Sequence, residues 1–134
     1  MERQTLSTGT EWEPIVGYSR AVRMGGMVAV AGTTSVDSNG AVLHPGDPYR
    51  QTQHILKHIA QVLEHFGTDI NHVIRTRMFV VNIDDWLHIG RAHGEVFSSI
   101  RPAATMVEVR RLIHPDLLVE IEVDAVLPEK SVTG

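Results

Sequence analysis

"LLVEIEVDAVL", residues 117–127, alternates almost without interruption. Val119, Ile121, Val123 and Ala125 point one way, and Glu120, Glu122 and Asp124 point the other, because successive side chains of a strand leave opposite faces. Such a strand is stable where one face is packed and the other meets water or a polar surface. It predicts a sheet with one covered apolar face and one charged face.

The neighbouring runs extend this pattern. "ATMVEVRRL" (104–112), joined through the turn "IHPD", reads as a strand in which Val107 and Val109 oppose Glu108 and Arg110. "HVIRTRMFVVN" (72–82) reads as another, with Ile74, Met78 and Val80 on the apolar side and Arg75, Arg77 and Phe79 on the other. Nearer the start, "GYSRAVRMGGMVAVAGTTS" (17–35) holds two β-rich runs around Gly25-Gly26, the signature of a hairpin with a tight turn.

Two helices alternate with these strands. Over 48–66, Asp47 is placed to cap and Pro48 suits the first position. Ile55, Leu56, Ile59, Val62, Leu63 and Phe66 then fall on one stripe, and Gly67 suits a left-handed end. "DDWLHIGRAHGEVFSSI" (84–100) opens with capping aspartates and carries Leu87, Ile89, Ala92, Val96 and Phe97. Its Gly90 and Gly94 each cost about 1 kcal/mol relative to alanine. The order β-β-α-β-α-β-β in one short chain predicts an α+β domain over 1–134, one sheet with both helices on its apolar face. Residues 1–15 are expected to be a loosely ordered lead and 128–134 a tail. The charged face has two readings: a solvated surface with cross-strand ion pairs, or a face that meets copies of itself in a closed oligomer, with pockets at the joints.

Composition removes several function classes. The 134 residues include no cysteine, which excludes disulfides, thiolate catalysis and Cys-ligated zinc. Twelve basic residues are scattered among 16 acidic ones for a net charge of −4, without the basic face of a nucleic-acid binder. No run of 18 apolar residues predicts a membrane span. The polar start "MERQTLSTGTEWEP" lacks the apolar core of a signal peptide, so a cytoplasmic location is expected. There is no phosphate loop, dinucleotide fingerprint or nucleophile elbow. His54, His58 and His65 share a stripe of the first helix, but a zinc site needs three or four convergent ligands, and a solvated helix face is the expected reading. His88 and His93 diverge by about 140° and do not chelate together. No metal site is expected.

In the order and spacing of "GYSRAV", "RMGGMVAVAGTTS", the helix from Gln51 to Gly67, "HVIRTRMFVVNIDDW", "RPAATMVEV" and "LVEIEVDAV", the chain resembles the Rid family (RidA, YjgF and UK114) over about residues 14–127. The resemblance implies the chorismate-mutase-like fold, a homotrimer with clefts between subunits, and hydrolysis of reactive imines and enamines such as 2-iminobutanoate without a cofactor. It also implies site residues. Glu120, first glutamate of "VEIEV", matches the acid that positions the attacking water. Tyr18 matches the cleft tyrosine, and Gly32, followed by Thr33, matches a backbone position of the cleft. "RPAA" stands where active members have "RPAR", so Ala104, followed by Thr105 and Met106, replaces the arginine that holds the substrate carboxylate. Gly90 stands where many members have asparagine. Arg77 and Arg20 are the candidates to replace the missing cation, with Arg101 a third. An ion pair with Glu120 or Glu122 is the competing role for Arg77. Some members carry an endoribonuclease label, and the acidic balance argues against that activity here. The expected function is thus a diverged hydrolase or deaminase of small imine-, enamine- or carbonyl-type metabolites, weak or inactive on 2-iminobutanoate. The alternative is a non-catalytic trimer that binds a small ligand in the same clefts.

Overall fold

The computed structural model describes residues 1–129, so most of the expected C-terminal tail lies outside the described residues. Strands β1 (Arg3–Leu6), β2 (Ala21–Met24), β3 (Met27–Thr33), β4 (Val73–Val80), β5 (Ala103–Glu108) and β6 (Val119–Val126) form one sheet in the order β1-β2-β3-β6-β4-β5. A short helix α1 (Trp12–Val16) precedes β2; α2 (Pro48–His65) and α3 (Trp86–Phe97) follow β3 and β4. Neighbouring strands are antiparallel except β4 and β5, whose parallel pairing requires a crossover; α3 is that crossover. No helix of the described residues is long and apolar enough to cross a membrane.

β6 lies in the middle of the sheet and keeps the alternation read from its sequence. Val119, Ile121, Val123 and Ala125 are at most 1% exposed, while Glu120, Glu122, Asp124 and Val126 are half-buried. Against the buried row pack Ile55, Leu56, Ile59, Leu63 and Phe66 of the α2 segment and Ile89 and Phe97 of α3. Each such side chain contributes about 1.5–3 kcal/mol on burial. Helix α2 starts and stops where its sequence indicates. The Asp47 carboxylate accepts from the Arg50 amide at 3.0 Å, and Gly67 follows the last turn at φ 82°. Gln51, fully buried, fastens the start of α2 to the approach to β6. Its Nε2 donates to the Asp116 carbonyl at 2.9 Å, and its Oε1 accepts from the Leu118 amide at 2.9 Å. The Gly25-Gly26 turn closes the β2–β3 hairpin, with Met24 opposite Met27 and Gly25 at φ 58°.

Several expectations are corrected. Ile74 is 47% exposed, and Val73 and Thr76 take the core face in its place. The β4–β6 register shifts between Val73 and Arg75, and such a bulge moves every residue before it to the other face. Val107 is on the charged side, directly across from Phe79, while Met106 pairs with Met78 on the helix side. Strand β5 ends at Glu108, so Val109 and Arg110 lie beyond it. At α3 the expected aspartate cap is absent; the Asn82 side chain instead accepts from the Asp84 amide at 3.0 Å and sets a 3₁₀ turn at Ile83–Asp85 ahead of the helix.

Residues 1–15, expected to be loose, hold β1 and α1. β1 covers the edge of β2, pairing Leu6 with Ala21. The carboxylate of Glu13, 5% exposed, then gathers the loop behind it. Its Oε2 accepts from the hydroxyls of Thr10 (2.8 Å) and Thr8 (3.0 Å) and from both of their amides at 3.3 Å. Its backbone carbonyl accepts from the amides of Gly17 and Tyr18. Burial alone would push this carboxyl up, but the Thr10, Ser7 and Thr8 hydroxyls and the Thr10 amide outweigh it and hold it at about 2, against an ordinary 4.5.

This knot predicts an acid-sensitive contribution to stability. A depressed folded-state pKa stabilises the fold above the unfolded value and is lost as protons bind. The contribution of Glu13 is therefore complete above about pH 4.5 and disappears as pH falls toward 2. Thermal melts across that range should show Glu13→Gln well below wild type at pH 7 and the gap closing with acid. A gap of constant size would rule out the carboxylate as its source.

Candidate functional site

The site is built where β3 leaves β6. Their register shifts between Val30 and Thr33, and the displaced stretch Ala31-Gly32 brings Gly32 under the side chain of Glu120. A Cβ at position 32 would collide with the Glu120 carboxylate. Glycine leaves the room for this close approach; its φ is not positive.

Arg20 completes the arrangement from the other side. Its backbone joins β1 and β3, donating to the Leu6 carbonyl at 2.9 Å and accepting from the Ala31 amide at 3.0 Å. Its Nη2 donates to the Gly32 carbonyl at 2.7 Å, and its Nε is buried without a partner among the described residues. Burial pushes the Arg20 pKa down, and Tyr18, Glu13 and Glu120 oppose that shift. For Glu120 the balance has the opposite sign. Burial raises its pKa, the Arg20 charge lowers it, and Glu122 raises it again. Neither Glu120 oxygen has a hydrogen bond or ion pair within the described residues, and neither is sealed from solvent. The result is a half-buried carboxylate beside a fixed cation with its lone pairs open. Such a group can hold a water molecule and accept its proton. Tyr18, 38% exposed, lines an open cavity of about 520 Å³ with Ser7, Thr10, Glu13 and Ser19 among others, and Glu120 and Gly32 are not part of that lining. A groove of similar size lies between α2 and α3, away from Glu120.

The other candidate residues do not join this cluster within one chain. Arg77 pairs with Asp124 at 3.1 Å and Glu122 at 3.4 Å, one pair-row away from Glu120, which stands opposite Phe79. Thr33 is 2% exposed and its hydroxyl donates to the Ala31 carbonyl at 2.9 Å. Thr105 faces the charged side across from Arg77. Ala104 and Met106 face the helix side, across from Thr76 and Met78, so Ala104 and Glu120 project from opposite faces of the sheet. Among the histidines, His54 uses its Nε2 on the Val36 carbonyl at 3.2 Å. His58 is half-buried and shifted down by burial, then by the charges of Arg20 and His54. Among the described residues no group of three or more His, Cys, Asp or Glu side chains is arranged to hold a metal. A contact that the sequence did not reveal joins Thr76 to His93. Its one trace in the sequence is the position of His93 between Ala92 and Phe97, beside the buried stripe of α3.

Comparison with known proteins identifies the family. The sequence profile of the endoribonuclease L-PSP family matches residues 8–127, and the chain belongs to that family. It is 40% identical over 121 residues to an uncharacterized protein of Streptomyces coelicolor, covering 90% of this chain and 89% of the relative. It is 33% identical to the 3-aminoacrylate deaminase RutC of Acinetobacter baylyi, covering 81% and 85%. The crystal structure of a Mycobacterium tuberculosis member of the YjgF/YER057c/UK114 family superposes with a TM-score of 0.84 at 44% identity, covering 94% of this chain and all of that one. The mixed sheet with helices on one face is thus the family's fold.

The contact at Gly32 gives a sharp test. In Gly32→Ala the flexible end of Glu120 must swing away, which costs little stability because no backbone is struck. Melting temperature should stay within a few degrees of wild type. The Glu120 carboxyl, followed by carbon NMR, should fall back toward its ordinary value of 4.5. An unchanged Glu120 titration would show that the carboxylate does not rest over Gly32.

Proposed function

Taking membership of that family as the premise, we propose that this protein is a cofactor-free hydrolase that deaminates small imine- or enamine-type metabolites. The observation that carries the reading is the open, half-buried carboxylate of Glu120 over Gly32, with Arg20 fixed beside it. The 33% identical relative that bears the name 3-aminoacrylate deaminase supports the reaction class.

The chemistry asks little of the protein. Glu120 orients a water molecule and takes one of its protons as the water oxygen bonds to the imine carbon. The C=N π pair moves to nitrogen, which takes the proton that Glu120 has received. Glu120 then removes the carbinolamine hydroxyl proton and passes it to the amine, so that ammonia leaves as the carbonyl forms. Arg20 keeps the carboxylate ionised despite its burial, and its hydrogen bond to Gly32 fixes the loop against which the carboxylate rests. Arg20 is tied to the Gly32 carbonyl through Nη2. Arg77 is committed to Glu122 and Asp124. With alanine at 104 the bidentate contact to a substrate carboxylate is missing from that position, and slow turnover of the anionic 2-iminobutanoate follows.

The active form in this reading is a homotrimer. Ala104 and Glu120 leave opposite faces of one protomer, so a substrate could meet both only between copies. Light scattering of the purified chain at micromolar concentration should give three times the monomer mass.

Turnover tests the whole reading. Imines generated in situ by an amino-acid oxidase should be hydrolysed faster by wild type than by buffer. Glu120→Gln should lose about a hundredfold or more of that rate. Activity needs ionised Glu120, so the rate should fall as pH drops through a pKa above the ordinary 4.5. Ala104→Arg should raise the rate on 2-iminobutanoate in the assembled oligomer. If Glu120→Gln hydrolyses imines as fast as wild type, the deaminase reading is wrong. Saturable ligand binding without any turnover would identify the cleft as a non-catalytic binding site.

A further inference from the structure

Helices α2 and α3 part to leave an open groove of about 510 Å³, bordered also by Asp69, Ile70 and Asn71. Short side chains line both of its helical walls, Ala60 on α2 and Ala92 on α3. With Leu56, Ile70 and Val96 they form an apolar floor, in which Leu56 and Ala92 are only 2% and 1% exposed. A volume of this size falls in the range of small-molecule sites. None of the residues that build the Glu120 site lines this groove.

The charges around this floor are unevenly placed. Glu64, in the last turn of α2, and Asp69, just after the helix, line one end. The Glu64 carboxylate has no ion pair among the described residues. Asp69 uses one oxygen, Oδ1, on the Asn71 amide and on Nδ1 of His72, both at 2.9 Å, and its Oδ2 has no such partner among the described residues. The His72 contact outweighs burial and holds the Asp69 pKa below its ordinary value, so this carboxylate is ionised at pH 7. At the other end Glu95 accepts from the Tyr49 hydroxyl through both oxygens, at 2.6 and 2.7 Å. The Arg91 guanidinium lies 4.1 Å from the centroid of the same ring, so that end already has a cation. Lys57 also lines the groove, but it stands seven residues before Glu64, about 10 Å along the helix axis, which is about a Debye length at ordinary salt. The unbalanced negative charge therefore lies at Glu64 and Asp69. From there the apolar floor runs back toward Leu56, about 12 Å along the axis.

We propose that this groove binds a small amphipathic amine, its primary ammonium group at Glu64 and Asp69 and its apolar chain or ring along the floor between α2 and α3. Charge complementarity selects the head. An ammonium carries three donors, and the Glu64 carboxylate and Oδ2 of Asp69 are acceptors without other partners. Exposed ion pairs are individually weak, worth no more than about fivefold in affinity each, so the head alone does not retain a ligand. The apolar body supplies the rest by covering the floor. Lys57 repels a cation from the middle of the groove and so favours the acidic end. A carboxylate head at that end would face two like charges.

Phenylbutylamine, phenylbutanol and phenylbutyrate share one apolar body and differ in the charge of the head. The full chain, carrying ¹³C-labelled Ile, Leu and Val methyl groups, is titrated with each at low salt and followed by NMR. The methyls of Leu56, Ile70 and Val96 should shift in a saturable way with the amine. The alcohol should bind about fivefold more weakly, and phenylbutyrate more weakly still. Added salt should remove the advantage of the amine and leave the binding of the alcohol in place. Glu64→Gln combined with Asp69→Asn, which keeps the Oδ1 acceptor, should bring the amine down to the level of the alcohol. Ala60→Leu should fill the floor and weaken amine and alcohol alike. Equal or tighter binding of phenylbutanol or phenylbutyrate by wild type overturns the proposal, as does the absence of any saturable shift at these methyls. Unchanged amine affinity in a folded double variant does the same. So does a shift of these methyls on diluting the protein alone, because a second copy would then be what covers the groove. The wild-type outcomes remain decisive if a variant does not fold. No probe contains an imine, so the result is independent of whether Glu120 supports turnover.

Discussion

The alternation along β6 is the constraint on which the rest depends. This strand lies between β3 and β4 and is antiparallel to both. Shifting it by one residue would put Glu120, Glu122 and Asp124 under α2 and turn Val119, Ile121 and Val123 outward. A strand buried on one face tolerates no such slip, because burying an unpaired carboxylate costs far more than any local contact returns. The place of Glu120 is therefore set by the core. Its neighbours in sequence are among the most buried residues of the protein, and they hold the carboxylate at the boundary between protein and solvent.

What distinguishes Glu120 from Glu122 and Asp124 is the bulge in β3. The two latter acids stand near Arg77, and the group forms a cross-strand ion cluster on the half-exposed face. Such pairs are worth about 0–1 kcal/mol each, but they occupy the Arg77 guanidinium. Glu120 lies beyond the register shift, over a residue with no side chain. Burial pushes its pKa up and that of Arg20 down, and each charge draws the other back. A carboxylate in that balance is a better proton acceptor than an exposed one and still ionises. No direct ion pair forms between the two; one would have tied up the carboxylate oxygens.

Much of the fold was legible in the sequence because the signals were local and periodic. β6 declares both faces, α2 declares its cap, stripe and glycine stop, and Gly25-Gly26 declares the hairpin. The errors lie where register, which is not local, decides. Ile74 fits the alternation of β4 until a bulge inserts one residue. Val107 has the right character for the core, yet parallel pairing with β4 sets it beside Phe79. β1 was missed because its burial is slight and its role is to cover an edge. At the site, Glu120, Tyr18 and Gly32 were named from motif positions. The choice between Arg20 and Arg77 needed the register, since Arg77 faces Glu122 across the ladder. The pairing of Thr76 with His93, 17 residues apart, left no periodic trace beyond the helix stripe.

The sheet also divides the chemistry of the chain in two. Glu120 lies on the charged face, and Ala104, Thr76 and His93 belong to the face under the helices. The two sets are separated by the thickness of the sheet, and no side-chain rotation in one protomer unites them. A cation at position 104 could therefore influence Glu120 only through a second copy that turns its opposite face inward. Alanine at that position leaves the first set's electrostatics intact within the chain. The change falls on the second set, where an arginine would have placed its charge next to the Thr76–His93 pair. A guanidinium there would add to the burial that already disfavours protonation of His93.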